Sequence, residues 1–170
     1  MKAAYFYEPN KLMIEETDIP SIGKKEMLLK VKAASVCGTD LRIFKNGHFK
    51  IPQGTKRVLG HEFSGEIAKT GSDVKGYQEG ERVVIVPNIG CGSCAACLKG
   101  YNQLCPVYDA LGISLDGAFQ EYMRIPEEAI KNRAALQKVM RQAGFTTIKK
   151  EWWHFDHKNA KNYSTLNIPI

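Results

Sequence analysis

Four of the five cysteines fall in one short run, Cys91, Cys94, Cys97 and Cys105, spaced C-x2-C-x2-C-x7-C. Four thiolates within fifteen residues can surround one zinc ion tetrahedrally, and Gly90, Gly92 and Gly100 permit the tight turns that such wrapping needs. A structural zinc contributes roughly 10–16 kcal/mol of apparent binding free energy to a fold, so this segment is expected to depend on metal for its shape. The competing reading is two disulfides, which belong to secreted chains. The N-terminus, Met1-Lys2-Ala3-Ala4-Tyr5, has no long apolar run of a secretory signal, and a reducing, cytoplasmic setting is therefore expected.

A second set of metal-capable residues lies upstream. Cys37-Gly38-Thr39-Asp40 and Gly60-His61-Glu62 together supply a thiolate, an imidazole and a carboxylate. A catalytic zinc keeps three protein ligands and one open position, and Cys37, His61 and Glu62 are chemically suited to that role. Asp40 could accept the other imidazole N–H of His61 and so hold the tautomer that leaves one ring nitrogen free for metal. Taken alone, these residues also fit a blander reading, in which Cys37 is a small buried hydrophobe and His61-Glu62 a surface pair.

The elements that must position these groups read mainly as strands. Lys2 to Tyr7 and Leu12 to Glu16 are predicted strands joined by a turn at Pro9-Asn10. From Met27 to Val36 the residues Met27, Leu29, Val31 and Ala33 alternate with their neighbours at period two, which predicts a half-buried strand delivering Cys37 at its end. Further strands are predicted at Phe63 to Lys69, Arg82 to Pro87 and Ala118 to Ile125. The period then changes. Asn132 is a candidate N-cap, Leu136, Val139, Met140 and Ala143 recur at helical spacing, and Gly144 can close an amphipathic helix. Phe145 to Phe155 reads as a strand with an aromatic run, and Lys158 to Ile170 as a loosely structured end. The fold class is mostly β, α+β overall.

Composition divides the chain at the same place. Residues 1–130 carry 16 Lys/Arg and 16 Asp/Glu, whereas 131–170 carry 8 and 2, so the formal excess of +6 lies in the last forty residues. All five cysteines precede this change and both tryptophans follow it. Two segments, 1–130 and 131–170, are therefore expected. The tail lysines are scattered, which argues against a nucleic-acid or membrane patch, and no run of eighteen apolar residues predicts a membrane span.

Ala33-Ala34-Ser35-Val36-Cys37-Gly38-Thr39-Asp40, Gly60-His61-Glu62, the four-cysteine run and Asp116-Gly117-Ala118-Phe119-Gln120-Glu121-Tyr122 resemble, in that order, the catalytic domain of zinc-dependent medium-chain alcohol and polyol dehydrogenases. The resemblance covers residues 1 to about 130 and is nearest to the polyol, sorbitol and threonine dehydrogenase branch. It implies a GroES-like β-barrel with a zinc-binding lobe and two zinc sites. The catalytic zinc would sit on Cys37, His61 and Glu62 with Asp40 behind them, and the structural zinc on Cys91, Cys94, Cys97 and Cys105. The implied chemistry is oxidation of a small alcohol or polyol by hydride transfer to NAD(P), with Thr39 relaying the proton. Arg42 stands where many members carry a histidine that passes this proton onward. No G-x-G-x-x-G follows a strand and opens a helix, so the family's Rossmann cofactor domain has no counterpart here; the chain alone is expected to be inactive.

The last forty residues carry a second resemblance. Asn132-Arg133-Ala134-Ala135-Leu136, Ala143-Gly144-Phe145 and above all Glu151-Trp152-Trp153-His154-Phe155 are similar to the C-terminal end of zinc D-alanyl-D-alanine dipeptidases. In that family the residue matching Glu151 is a general base and the one matching His154 a zinc ligand. The family's earlier His and Asp ligands, spaced S-x-H-x-x-G-x-A-x-D, have no counterpart. Three readings follow: a two-zinc oxidoreductase catalytic domain, a hydrolase using Glu151 and His154, and a non-catalytic zinc module, with homo-oligomer formation left open.

Overall fold

A computed structural model of the chain describes residues 1–126 and 129, and the backbone of 145–147 and 155–157. The chain divides into two units, Met1–Lys131 and Asn132–Ile170. The first begins with strands β1 (Lys2–Glu8) and β2 (Lys11–Glu16), paired antiparallel as a hairpin. Its turn places Asn10 at φ 64°, a left-handed conformation that asparagine tolerates better than most residues.

β3 (Glu26–Ser35) carries the predicted alternation in its first half: Met27 and Leu29 are fully buried and Val31 half-buried, while Lys30 and Lys32 face solvent, but Ala33, expected on the inner face, is exposed. Beyond it the nine-residue helix α1 (Gly38–Asn46) starts with Cys37 as its N-cap. β4 (Arg57–Val58) returns to β1, giving a first sheet of order β2-β1-β4. β5 (Glu62–Thr70), β6 (Arg82–Val84) and β9 (Tyr122–Pro126) join β3 in a second antiparallel sheet of order β6-β5-β3-β9. Between β6 and β9 runs the cysteine lobe: β7 (Asn88–Ile89), the single turn α2 (Ala95–Leu98), a 3-10 turn at Asn102–Leu104 and β8 (Asp109–Ala110), with β7 paired to β8.

Two apolar clusters hold these pieces. Met27, Leu29, Phe63, Ile67, Met123 and Ile125 come from alternate positions of β3, β5 and β9 and pack on one face of the second sheet. Each such side chain contributes roughly 1.5–3 kcal/mol by leaving water. The other cluster, Phe6, Ile43, Ile51 and Leu59, lies beneath α1 and fixes the helix against β1.

The structure corrects several predicted elements. α1 was not foreseen, because among its nine residues only Asp40 and Ile43 are buried, too few to print a helical period. The strand predicted from Ala118 starts at Tyr122. Upstream of it, Gly117, Ala118 and Phe119 donate their N–H groups to the carbonyls of Val58, Gly60 and Leu59 at 2.8, 2.9 and 3.0 Å, so they line the segment that enters β5. The strand predicted at Arg82 to Pro87 ends at Val84, after which Val86 N–H bonds the Ala129 carbonyl. In the second unit the single strand predicted for 145–155 is instead two short strands, β10 (Phe145–Thr147) and β11 (Phe155–His157), paired antiparallel with Phe145 opposite His157. An extended run folded back on itself satisfies backbone groups that a lone strand would leave open. The helix predicted at 132–144, Glu151, His154 and the end from Lys158 lie outside the described residues. Among the described residues no helix is long and apolar enough to cross a membrane.

Gly60, immediately before His61, is buried at φ +94°, and a Cβ there would lie 2.7 Å from the Phe119 ring. Gly76 has φ +80° with open space around it. Gly60→Ala is expected to cost about 2–4 kcal/mol, the strain of the backbone plus overpacking, and Gly76→Ala about 1 kcal/mol or slightly more. Urea unfolding midpoints of the two variants measure this, and equal shifts would contradict the packing of Phe119 on Gly60.

Candidate metal centres

The first centre arises from strand pairing. β3 and β5 run antiparallel in a register that puts Ser35 opposite Glu62, so the end of β3 lies beside the start of β5. Cys37, two residues past Ser35, thereby meets His61 and Glu62 although 24 positions separate it from His61. One ligand atom from each of Cys37, His61 and Glu62 lies within 4.8 Å of those of the other two. The three differ in exposure: Cys37 and His61 are half-buried, whereas Glu62 is open to solvent.

Asp40 stands behind them. It is the buried charged residue of the described structure, 3% exposed. Its Oδ2 accepts the N–H of Cys37 at 2.9 Å, and its Oδ1 accepts the N–H of Gly60 at 3.2 Å. The same Oδ1 lies 3.3 Å from Nδ1 of His61, a buried nitrogen that makes no hydrogen bond. An imidazole presenting Nδ1 to a carboxylate offers Nε2 as its electron-pair donor.

Glu62 is held from the other side. Ser35 Oγ donates to its Oε2 at 2.7 Å. That bond, with the Cys37 thiol and the charge of His61, holds the Glu62 carboxyl below its ordinary value despite some opposing desolvation. Thr39 sits half-buried in the first turn of α1, two residues beyond Cys37. Sequence reasoning missed Ser35 and the Gly60 N–H. The signal for Ser35 was its position in the strand that ends at Cys37; its pairing with Glu62 needed the register.

The cysteine lobe forms the second cluster. The sulfurs of Cys91, Cys94, Cys97 and Cys105 all lie within 4.8 Å of one another, and all five cysteines of the chain are free thiols. The lobe wraps its own sulfurs with backbone donors. Cys91 N–H points to Cys105 Sγ at 3.4 Å, Cys94 N–H to Cys91 Sγ at 3.4 Å and Cys97 N–H to Cys94 Sγ at 3.5 Å. Gly92 and Gly100 take φ values of +74° and +83° at the turns, and a Cβ on Gly90 would collide with the sulfur of Cys97.

The four thiols are unequal. A hydrogen bond from Ser93, helped by the backbone N–H of Ser93 and Cys94, pulls Cys91 down to about 6, whereas burial, with neighbouring Cys94, pushes Cys97 up to about 12. Four sulfurs this close cannot all ionise without a cation among them, since each thiolate opposes the next. A soft divalent ion removes that conflict, and tetrahedral S4 donors select zinc or iron–sulfur chemistry.

Two family models match different parts of the chain. Residues 23–133 match the family model of the alcohol dehydrogenase GroES-like domain, and residues 116–168 match that of D-ala-D-ala dipeptidase. The composition is thus two-part, although the second match begins inside the first and residues 116–126 belong structurally to the unit Met1–Lys131. Sorbitol dehydrogenase of Bacillus subtilis strain 168 is 38% identical over 132 residues, which is 76% of this chain and 37% of that protein. L-threonine 3-dehydrogenase of Xanthomonas euvesicatoria pv. vesicatoria is 41% identical over 130 residues, 74% of this chain and 38% of that protein. The crystal structure of a short chain alcohol dehydrogenase from Escherichia coli CFT073, complexed with the cofactor NADH, superposes with a TM-score of 0.70 at 37% identity, covering 78% of this chain and 38% of that one. The chain spans little more than a third of the length of these relatives. With 111 of its 170 residues inside the first family match and a mostly β fold among the described residues, the chain belongs to the alcohol dehydrogenase GroES-like domain family.

Proposed function

We propose that residues 1–130 form the zinc-binding catalytic domain of an NAD(P)-dependent dehydrogenase acting on a small alcohol or polyol, and that 131–170 are a separate dipeptidase-like tail. The observation that carries this reading is the convergence of Cys37, His61 and Glu62, with ligand atoms within 4.8 Å, in front of the buried carboxylate of Asp40. The donors suit zinc: one thiolate, one imidazole with its tautomer set from behind, and one carboxylate kept ionised by Ser35. A zinc ion bound there supplies Lewis-acid polarisation of an alcohol oxygen, lowering the pH at which the hydroxyl proton leaves.

The chain's own residues do the rest. Asp40 holds the N-terminus of α1 and the His61 ring in one geometry through Cys37 N–H and Gly60 N–H. Thr39, in the first turn of that helix, would relay the alcohol proton, accepting it as its own hydroxyl proton passes onward to solvent, and Arg42 stands where an imidazole is expected next in such a relay. The hydride must pass to a nicotinamide carried on a second domain, so this chain by itself oxidises no alcohol. The cysteine lobe supports a second, structural zinc.

The hydrolase reading has the family match over residues 116–168 in its favour. Glu151 and His154 would be its general base and zinc ligand, without the remaining ligands of such a site.

Native mass spectrometry of the reduced chain is expected to show two zinc ions per molecule. Cys105→Ser should lose one and unfold the lobe, and His61→Gln should lose the other while the lobe stays filled. A single zinc in the parent chain, retained by His61→Gln, would refute the catalytic centre.

Asp40→Asn is expected to weaken zinc at the Cys37 centre about 10–100-fold, the usual effect of losing a carboxylate behind a ligating histidine. Competition with a chromophoric chelator measures it, and the affinity of the cysteine lobe should not move. The zinc-loaded chain is further expected to release no D-alanine from D-Ala-D-Ala and to reduce no NAD(P)+ with sorbitol or threonine; turnover in either assay overturns the corresponding part of the reading.

A further inference from the structure

A cleft of about 410 Å³ opens at the C-terminal end of α1, away from the Cys37 N-cap. One wall is the β1–β2 turn and the other is the segment from Asn46 to Gly54. Its volume lies in the range of small-molecule sites. The walls are set by backbone bonds: Asn10 N–H to the Phe44 carbonyl at 2.7 Å, Gly47 N–H to Ile43 at 2.7 Å, Ile51 N–H to His48 at 2.9 Å and Thr55 N–H to Pro52 at 3.0 Å. The floor is apolar, made by the buried side chains of Phe6 and Ile51.

The polar groups on the rim are neutral in sum. Glu8 and Lys11 pair with each other at 3.1 Å. His48 Nδ1 accepts the Lys50 N–H at 3.1 Å, so a neutral His48 ring carries its hydrogen on Nε2 and offers a donor. Burial, helped by Lys50 and Arg42, holds this imidazole below its ordinary value, which keeps it neutral near pH 7. The side-chain amides of Asn46 and Gln53, both at the cleft, have no partner among the described residues. Each amide presents a donor and an acceptor side by side.

We propose that this cleft is a second small-molecule site, separate from the Cys37 centre, that binds an uncharged polyhydroxylated ligand of polyol or monosaccharide type through Asn46, Gln53 and His48. Vicinal hydroxyls, each both donor and acceptor, match paired side-chain amides, and the C–H face of such a ligand matches a floor of Phe6 and Ile51. The Glu8–Lys11 pair on the rim is balanced within itself and favours neither sign of ligand charge. The proposal does not depend on the dehydrogenase reading.

The test is titration of the 15N-labelled, zinc-loaded full chain with sorbitol, and separately with sorbitol 6-phosphate, followed by amide shifts and the His48 imidazole resonances. Sorbitol is expected to shift Gly47, His48 and Gly54 saturably. Asn46→Ala and Gln53→Ala, both exposed positions that should leave the fold intact, are each expected to weaken this about tenfold, as for the loss of a well-made hydrogen bond. Cys37→Ser, which disables the other centre, should leave it unchanged. Absence of saturable shifts in this segment, their loss in Cys37→Ser, indifference to both amide variants, or tighter binding of the phosphate would each overturn the proposal.

Discussion

The first unit turns on one buried carboxylate. Asp40 is withdrawn from water, a position that a charge occupies at high cost unless its lone pairs are met. They are met by the N–H groups of Cys37 and Gly60, with the His61 imidazole 3.3 Å away, and these come from the two segments that form the candidate metal centre. Satisfying Asp40 and assembling the centre are therefore one event. The carboxylate fixes where α1 begins, where the chain enters β5 and how the imidazole is turned.

The surroundings of Gly60 show how little room that arrangement leaves. Its carbonyl accepts from Ala118 N–H, and a Cβ on Gly112 or Gly117 would strike the Gly60 backbone. Phe119 closes the other side. Asp116 accepts from Val58 N–H at 3.1 Å and pairs with Arg57 at 3.0 Å. The Asp116-to-Phe119 segment thus works as a clamp on the residues leading to His61, which accounts for its place in the motif set. The cysteine lobe is organised differently: few of its residues are buried, so its shape rests on sulfur, backbone donors and positive-φ glycines rather than on an apolar core, as expected of a metal-stapled segment. Lys50 ties it back to the body by donating to the Tyr108 carbonyl and lying 3.6 Å over the Tyr108 ring.

Both candidate sites were legible as sequence, but for different reasons. The Cys91 to Cys105 spacing is local: with so few residues between ligands, almost any compact wrapping brings the sulfurs together. Cys37 with His61-Glu62 was legible only as an ordered set of motifs, since the 23 residues of chain between Cys37 and His61 allow many separations. The alternation of Met27, Leu29, Val31 and Ala33 announced β3, although burial follows it only through Met27 and Leu29. α1 and the clamp at Gly117–Phe119 gave no such pattern, the first being mostly exposed and the second bonding irregularly to a single segment.

The sequence by itself determined the donor types, the spacing of the four cysteines, the strands β3 and β5 and the change of composition near residue 130, because ligand chemistry, period-two burial and charge are properties of short stretches. Tertiary structure alone decided the register that sets Ser35 against Glu62, the burial of Asp40 between two backbone N–H groups, the clamp on Gly60 and the cleft beside Asn46. Each of these depends on contacts between residues distant in the chain, whose relative positions are fixed only when both sheets and the helix between them pack together.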